Sequence, residues 1–450
     1  MNPSSVVRRL IQSVAVATSG VFLSTMALAG ASGPLLPSQS NDAHLGVASC
    51  ASAVCHGSVQ AFPDSTVRRN EYAWWQTNDP HAQAYQVLYN DASKAIARKL
   101  GLSAAHEADM CLDCHADNVP VDQRGEKFQL SDGISCEACH GGAERWLSAH
   151  TAPDASHAGN LELGLYPTEA PVQRARLCLS CHLGGEDKLI THRIMGAGHP
   201  RISFELDTFT ELQRHYDYDP DYSERKGVPD GVRDWAVGQA TAARNMLGIL
   251  LDPQHGRDGL FPELVVFDCH ACHHAMSKRQ WGRRDGTGLG PGVVRFNDAY
   301  LLMLRHIMSV VNPGIGQRLA EQTLALHRAT TVGRQATHQA GENLLASVDA
   351  AGSALQAYRF AGDALDAILG SLIEGGIAGE YRDYAGAEQA SMAVQGLIAA
   401  FERSGALSPE QIARLTAEMD ESMFPAMDDE ENYRPSVFVG ALRKIQAAAP

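Results

Sequence analysis

The sequence predicts a mainly α-helical protein in two unequal parts, a loop-rich domain over residues 30–295 and an α-helical bundle over residues 296–450. Three observations predict it. All ten cysteines fall in five short motifs that each end in histidine, and none occurs after Cys272. Roughly 120 residues around the middle motifs are too rich in glycine, proline and small polar residues to build an ordinary apolar core. Beyond residue 296, apolar residues recur at helical spacing between explicit helix caps.

Four motifs are tight Cys-x-x-Cys-His runs: Cys111-Cys114-His115, Cys136-Cys139-His140, Cys178-Cys181-His182 and Cys269-Cys272-His273. The first, Cys50-Cys55-His56, holds two further residues between its cysteines. This signature reads as c-type haem attachment. Two thiols three residues apart on one helical turn can each bond a vinyl group of one porphyrin. The next residue then comes under the iron as its proximal ligand. With 19 histidines in 450 residues, five second cysteines all followed by histidine have a chance probability on the order of one in ten million. Disulfides in an exported chain, or zinc sites, would also use the cysteines. Neither asks for a histidine directly after every pair. Five covalently attached haem c groups, with their iron, are therefore expected to form the core of the first domain. In the first motif the extra residues must bulge from the turn, and a Cys50–Cys55 disulfide is the alternative.

The chain opens with Arg8-Arg9, an apolar run from Val14 to Leu28 and the small-residue site Ala27-Leu28-Ala29. That order reads as a cleavable signal peptide over residues 1–29, with periplasmic export of the rest. A membrane anchor fits less well, because the apolar core is short, and no later run approaches a membrane span. Removing this segment lowers the 37 basic residues to 35, against 52 acidic ones. Such a surface disfavours nucleic acid and anionic lipid and suits a basic redox partner steered by charge.

Residues 30–66 are rich in Ser, Ala, Gly and Pro and are expected to wrap the first haem irregularly. Asn78-Asp79-Pro80-His81 places a cap residue and a first-position proline at the start of a helix running toward Tyr89. A short helix is expected between Asp91 and Leu100. Residues 232–251 form a plausible amphipathic helix with Trp235, Ala236, Ala243, Met246, Leu247 and Leu250 on one face. Gly286–Gly292 is the clearest linker. In the bundle, Leu365, Ile368, Leu369, Leu372 and Ile373 share one stripe, and Ser408-Pro409-Glu410-Gln411 supplies a capping box. Asp428-Asp429-Glu430-Glu431 reads as a solvated acidic loop.

A low-spin electron carrier needs a second axial ligand on each iron, and fourteen histidines remain outside the five motif positions. His199 leads, because glycines flank it and Pro200 keeps it out of helix. His81 follows, on a helix start near Trp74 and Trp75. His150 and His192 come next, and His44, His157, His274 and His306 rank lower. His270 lies inside a motif and reads as a bystander. Ligation by Met195 would raise a haem's potential.

Four segments resemble the multihaem cytochromes grouped with the tetrahaem cytochrome c-554 of ammonia-oxidising bacteria. They are Trp74-Trp75 to His81-Ala82, Cys136 to Gly141 followed by His150, Gly198-His199-Pro200-Arg201 through Leu206, and Cys269 to His274. The resemblance covers roughly residues 44 to 310. It implies haems in near-contact pairs, mostly with two histidine ligands, and carries His81, His150 and His199 over as distal ligands. The fifth site and the stretched first motif depart from the family pattern.

The expected function is electron transfer between redox proteins, such as quinol-linked membrane cytochromes or periplasmic oxidoreductases, without substrate chemistry. The alternative is a multihaem oxidoreductase acting on nitrite, hydroxylamine, nitric oxide or sulfur compounds at one open iron. The sequence has no Cys-x-x-Cys-Lys motif that would mark such a haem. A third reading makes the bundle a docking module of a haem-based sensor or assembly subunit. The fifth motif, at the border with the bundle, is the expected electron exit.

Overall fold

The computed structural model describes residues 33–449 apart from 61–66, 186–187, 219, 228, 255, 259–260, 274–286, 288 and 290–292. The expected signal peptide, His274 and most of the Gly286–Gly292 linker lie outside the described residues. The described structure is mainly helical; its β structure is a two-residue antiparallel pair, Arg257–Asp258 with Phe261–Pro262, and the isolated bridges His44–Arg124 and Phe267–Phe296.

At the centre lies the helix Gly231–Leu251, capped by Asp230, whose side chain accepts the Arg233 N–H at 3.0 Å. It packs on the helices Pro171–His182, Leu206–Gln213, Ala299–Val311, Arg334–Gln356 and Tyr384–Ser404. The sequence predicts one apolar face, but fifteen of its residues are buried, so it is covered nearly all round. Its alanines and glycines allow this by letting neighbours approach: a Cβ on Gly238 would lie 2.6 Å from Leu206 Cβ. One apolar cluster runs from Ala175 in the haem-motif region to Ile445 near the C-terminus.

The bundle follows as Ala299–Val311, Pro313–Thr330, Arg334–Gln356, Asp363–Ile377, Tyr384–Ser404, Pro409–Glu418 and Pro435–Ala448. Asn312 caps the second of these through the Ile315 N–H, with Pro313 in the first turn. Ser408 and Gln411 form the capping box reciprocally. The stripe Leu365, Ile368, Leu369, Leu372 and Ile373 is buried as its spacing requires.

The region before residue 171 is different. Residues 34–60 hold only single 3-10 turns, and Pro80–Gln83 is a 3-10 turn leading into the short helix Ala84–Val87. Asp91–Leu100 is helical, and Asp109–His115 and Cys136–His140 are helices that end on their motif histidines. The separate apolar cluster here is small, comprising Leu88, Ala97, Ala105, Leu112 and Ala116. Backbone clamps hold this part together instead. Glu137, inside the third motif and 1 % exposed, accepts N–H bonds from Leu45 (2.7 Å), Gly46 (2.6 Å) and Ala143 (2.8 Å). It thereby ties the lead-in to the first motif onto the third. Gly141, at φ +85°, turns the chain out of the Cys136–His140 helix.

Candidate haem-binding site

A large cavity of about 1970 Å³ runs through the loop-rich part. Cys114, Cys136, Cys139, Cys178 and Cys181 line it, together with the motif histidines His56, His115, His140 and His182. His81, His150, His199 and His215 face into the same space. All ten cysteines are free thiols, so the Cys50–Cys55 disulfide is not formed.

The histidines come in pairs. Ring centroids are 6.4 Å apart for His56–His150, 6.4 Å for His115–His199 and 6.2 Å for His140–His215. They are 5.9 Å apart for His182–His81 and 6.1 Å for His273–His192. Each motif histidine meets one other histidine, and none is used twice. Two metal–imidazole bonds of about 2 Å in line, with the depth of each ring added, separate axial centroids by roughly 6 Å. The donor set therefore fits an iron between each pair. Interplanar angles from 11° to 86° are compatible, since a ring can turn about its metal–nitrogen bond.

Hydrogen bonds select the nitrogen that could face a metal. The Nδ1 atoms of His56 and His81 meet Glu71 Oε2 at 3.1 Å and Asp79 Oδ1 at 2.9 Å. Those of His115, His150 and His199 meet the carbonyls of Ala84 (3.0 Å), Leu147 (2.6 Å) and Pro200 (2.8 Å). His215 Nδ1 lies 3.1 Å from Gln213 Nε2 and 3.4 Å from its carbonyl. An Nδ1 engaged in this way leaves Nε2 as the free donor, the usual arrangement around a ligated imidazole. Burial pushes His140 down to about 3 and His182 to about 4. Both are then neutral imidazoles, the state that metal binding requires. Burial also lowers His115 and His215, whereas the hydrogen bond that His56 donates to Glu71 dominates there and raises it.

Local elements place these side chains. Asp79 caps its turn through the His81 N–H at 2.9 Å while also holding His81 Nδ1. Trp146 stands edge-on to His150 at 5.4 Å. Thr191 caps the helix His192–Ala197, whose end carries Gly198 at φ +121° before His199. Gly198 is thus required by its backbone conformation, whereas the space around Gly196 is open. Phe204 stacks on His182 at 4.8 Å.

Of the second-ligand candidates, His81, His150, His192 and His199 are brought to motif histidines. His215 takes the remaining place, opposite His140, without any sequence motif that points to it. Nothing in Arg214-His215-Tyr216 marks it locally; the available signal was arithmetic, five motifs against four leading candidates. The others meet no motif histidine, although His157 lines the same cavity. His44 is fully buried with Nδ1 2.8 Å from Asp117 Oδ2. His157 pairs with Glu169 at 2.7 Å. His306 lies in the bundle against Ser371 and Tyr381. Met195 shares a small cavity with His182 and Cys269.

The fifth motif touches the bundle. Asp268 binds Arg295 at 2.6 Å, and Arg295 reaches Asp383 at 3.1 Å. His270 Nε2 lies 3.5 Å from Glu430, which also binds Arg201 at 2.9 Å. Glu430 is therefore drawn inward from the acidic loop, while Asp428, Asp429 and Glu431 are exposed.

Residues 49–141 match the family described as cytochrome c554 and c-prime, a segment that holds the first three motifs and ends at Gly141. No curated protein and no solved structure matches the chain. Among the described residues no helix is long and apolar enough to cross a membrane.

Proposed function

We propose that this chain, a c-type cytochrome resembling the c554 family, is a periplasmic pentahaem electron carrier whose five irons are each held by two histidines. The observation that carries the reading is the set of five histidine pairs near 6 Å, one for every motif. Cys50 and Cys55, Cys111 and Cys114, Cys136 and Cys139, Cys178 and Cys181, and Cys269 and Cys272 would hold the porphyrins. His56, His115, His140, His182 and His273 would be proximal ligands. His150, His199, His215, His81 and His192 would complete them in the same order. When bound, each haem supplies one reversible electron.

The protein's own part is to hold, orient and shield. Asp79, Glu71 and the carbonyls on Nδ1 fix tautomer and ring direction. The motif sulfurs suggest the order of transfer. Cys50 neighbours Cys136, and Cys114 neighbours Cys181, closely enough for each thiol to act on the other. Cys139 is close enough to Cys178 to feel its charge. His182 and Cys269 line one small cavity. The path would then run first–third–fourth, with the second and fifth sites beside the fourth. Segments 30–295 and 296–450 would act as carrier and support, with basic redox proteins as partners outside the cytoplasm.

Mass spectrometry of the mature holoprotein should find five haems, and the oxidised protein should show only low-spin signals by electron paramagnetic resonance. Four haems would remove Cys50 and Cys55 from the set. A high-spin signal that shifts with cyanide or nitric oxide would instead support an open-site oxidoreductase.

A further inference from the structure

Three carboxylates are buried together where the helix Leu206–Gln213 meets the helix Gly231–Leu251. Glu205, Asp207 and Asp234 are 2 %, 6 % and 6 % exposed. Two of them are accounted for. Glu205 accepts the N–H groups of Asp207 and Thr208, each at 2.8 Å, and so caps its helix. Asp234 pairs with Arg174 at 2.5 Å. Among the described residues, the Asp207 carboxylate has no hydrogen-bond or ion-pair partner. It is aimed at the start of the central helix, where a Cβ on Gly231 would meet Asp207 Oδ1 at 2.4 Å and Arg403 Nη2 at 2.7 Å. An ionised carboxylate so buried beside two others is disfavoured. Burial, reinforced by Glu205, pushes Asp207 up to about 7, and burial pushes Asp234 up to about 6.

The same short segment abuts the fourth motif. Phe204 and Phe209 approach the His182 ring at 4.8 and 5.9 Å. Asp207 lies between them in sequence, on the turn that presents both rings.

We propose that Asp207 is a redox-linked proton site, taking a proton from solvent when an electron reaches the haem held by Cys178, Cys181 and His182. The inference rests on the haem assignment above. A reduced one-electron carrier gives one electron, that iron passes from ferric to ferrous, and the carboxylate plus one solvent proton becomes the carboxylic acid. Oxidation reverses both, and the local charge is unchanged over the cycle. The coupling is electrostatic, because a negative charge arriving nearby favours the neutral acid. The groups that face Asp207 are Glu205 and Glu211 on its own segment, Asp234 of the central helix and Arg403 of Tyr384–Ser404, and Asp230 in turn acts on Asp234. Arg174 and Arg233 offset Asp234.

Because the reduced state holds the proton more tightly, the midpoint potential of one haem should fall as pH rises near neutrality. One proton per electron limits the slope to about 59 mV per pH unit, the value of a tenfold change for a one-electron couple. Spectroelectrochemical titration of the holoprotein from about pH 5 to about pH 9 should show this slope in one of the five components. Asp207→Asn should remove it, and Arg403→Gln should move its window to higher pH by removing the facing cation. A reduced-minus-oxidised infrared spectrum should gain a carboxylic acid band in the native protein and lose it in Asp207→Asn. An unchanged slope in Asp207→Asn, or an unmoved window in Arg403→Gln, overturns the proposal. Peptide mass spectrometry separates the two readings, since failure of the haem assignment would show as a Cys178–Cys181 peptide without haem.

Discussion

At the scale of single residues, the histidines divide by what their nitrogens touch. His215 and His44 make the contrast. Both are well covered, but His215 faces another imidazole at 6.2 Å, whereas His44 is pinned to Asp117, itself bound by Ser135 at 2.7 Å. Replacing His215 with alanine should turn one haem high-spin, read by electron paramagnetic resonance, with little loss of folding stability. Replacing His44 should leave every haem low-spin and cost about 2–3 kcal/mol in denaturant unfolding, because Asp117 keeps a buried charge without its partner. Asp207 gives a pH-dependent prediction. Its folded pKa, about 7, lies above the ordinary carboxyl value of 3.8. Ionisation is therefore penalised in the folded state, and stability falls as pH rises between those values. Asp207→Asn removes the penalty, so its melting temperature relative to the native protein should rise between about pH 5 and about pH 8. The opposite trend would mean that the carboxylate is ionised and held by a cation.

At the scale of elements, two devices carry the loop-rich part. Glu137 satisfies three backbone N–H groups from two separate segments. Glu137→Ala should cost about 3 kcal/mol or more, since each orphaned donor loses its bond in a buried place. Hydrogen exchange at Leu45, Gly46 and Ala143 should report the loss directly. The second device is Arg201, which grips Glu388 with two bonds of 3.0 and 2.8 Å and also meets Glu430. It stands two residues beyond His199. Arg201→Ala should therefore alter the spectrum of the His115–His199 site, seen as shifted low-spin g values, while the other four signals stay in place. The bundle's helices were legible because their caps and stripes are local. The start at Pro80 gives a 3-10 turn and the short helix Ala84–Val87 in place of one helix to Tyr89, and the central helix is covered beyond its one expected face, since a sequence does not reveal how closely its alanines let neighbours approach.

At the scale of the whole molecule, the loop-rich part is organised around a cavity of about 1970 Å³ rather than around its small apolar cluster. A space of that size lined largely by carbon is a poor host for water, so the loops gain stability only when an apolar group fills it. Changing all ten cysteines to serine should therefore leave the region before residue 171 open to protease, while Gly231–Leu251 and the bundle keep their helical signal. Equal resistance throughout would show that the loops fold on their own. On the proposed reading, covalent attachment and folding would be one event for the first part of the chain. The apolar cluster from Ala175 to Ile445 can form on its own side chains.

By itself the sequence marked the five motifs on which the proposed attachment rests, because Cys-x-x-Cys-His is a contiguous pattern whose geometry is settled within one helical turn. It also determined the helical character of residues beyond 296, for the same local reason. Only the tertiary structure decided which second histidine meets which motif. Those partners come from distant segments, such as His81 with His182 and His192 with His273, and spacing along the chain carries no record of such meetings. His215 shows this most plainly: its loop has no motif of its own, and its position opposite His140 arises from how the helix Leu206–Gln213 packs on Gly231–Leu251.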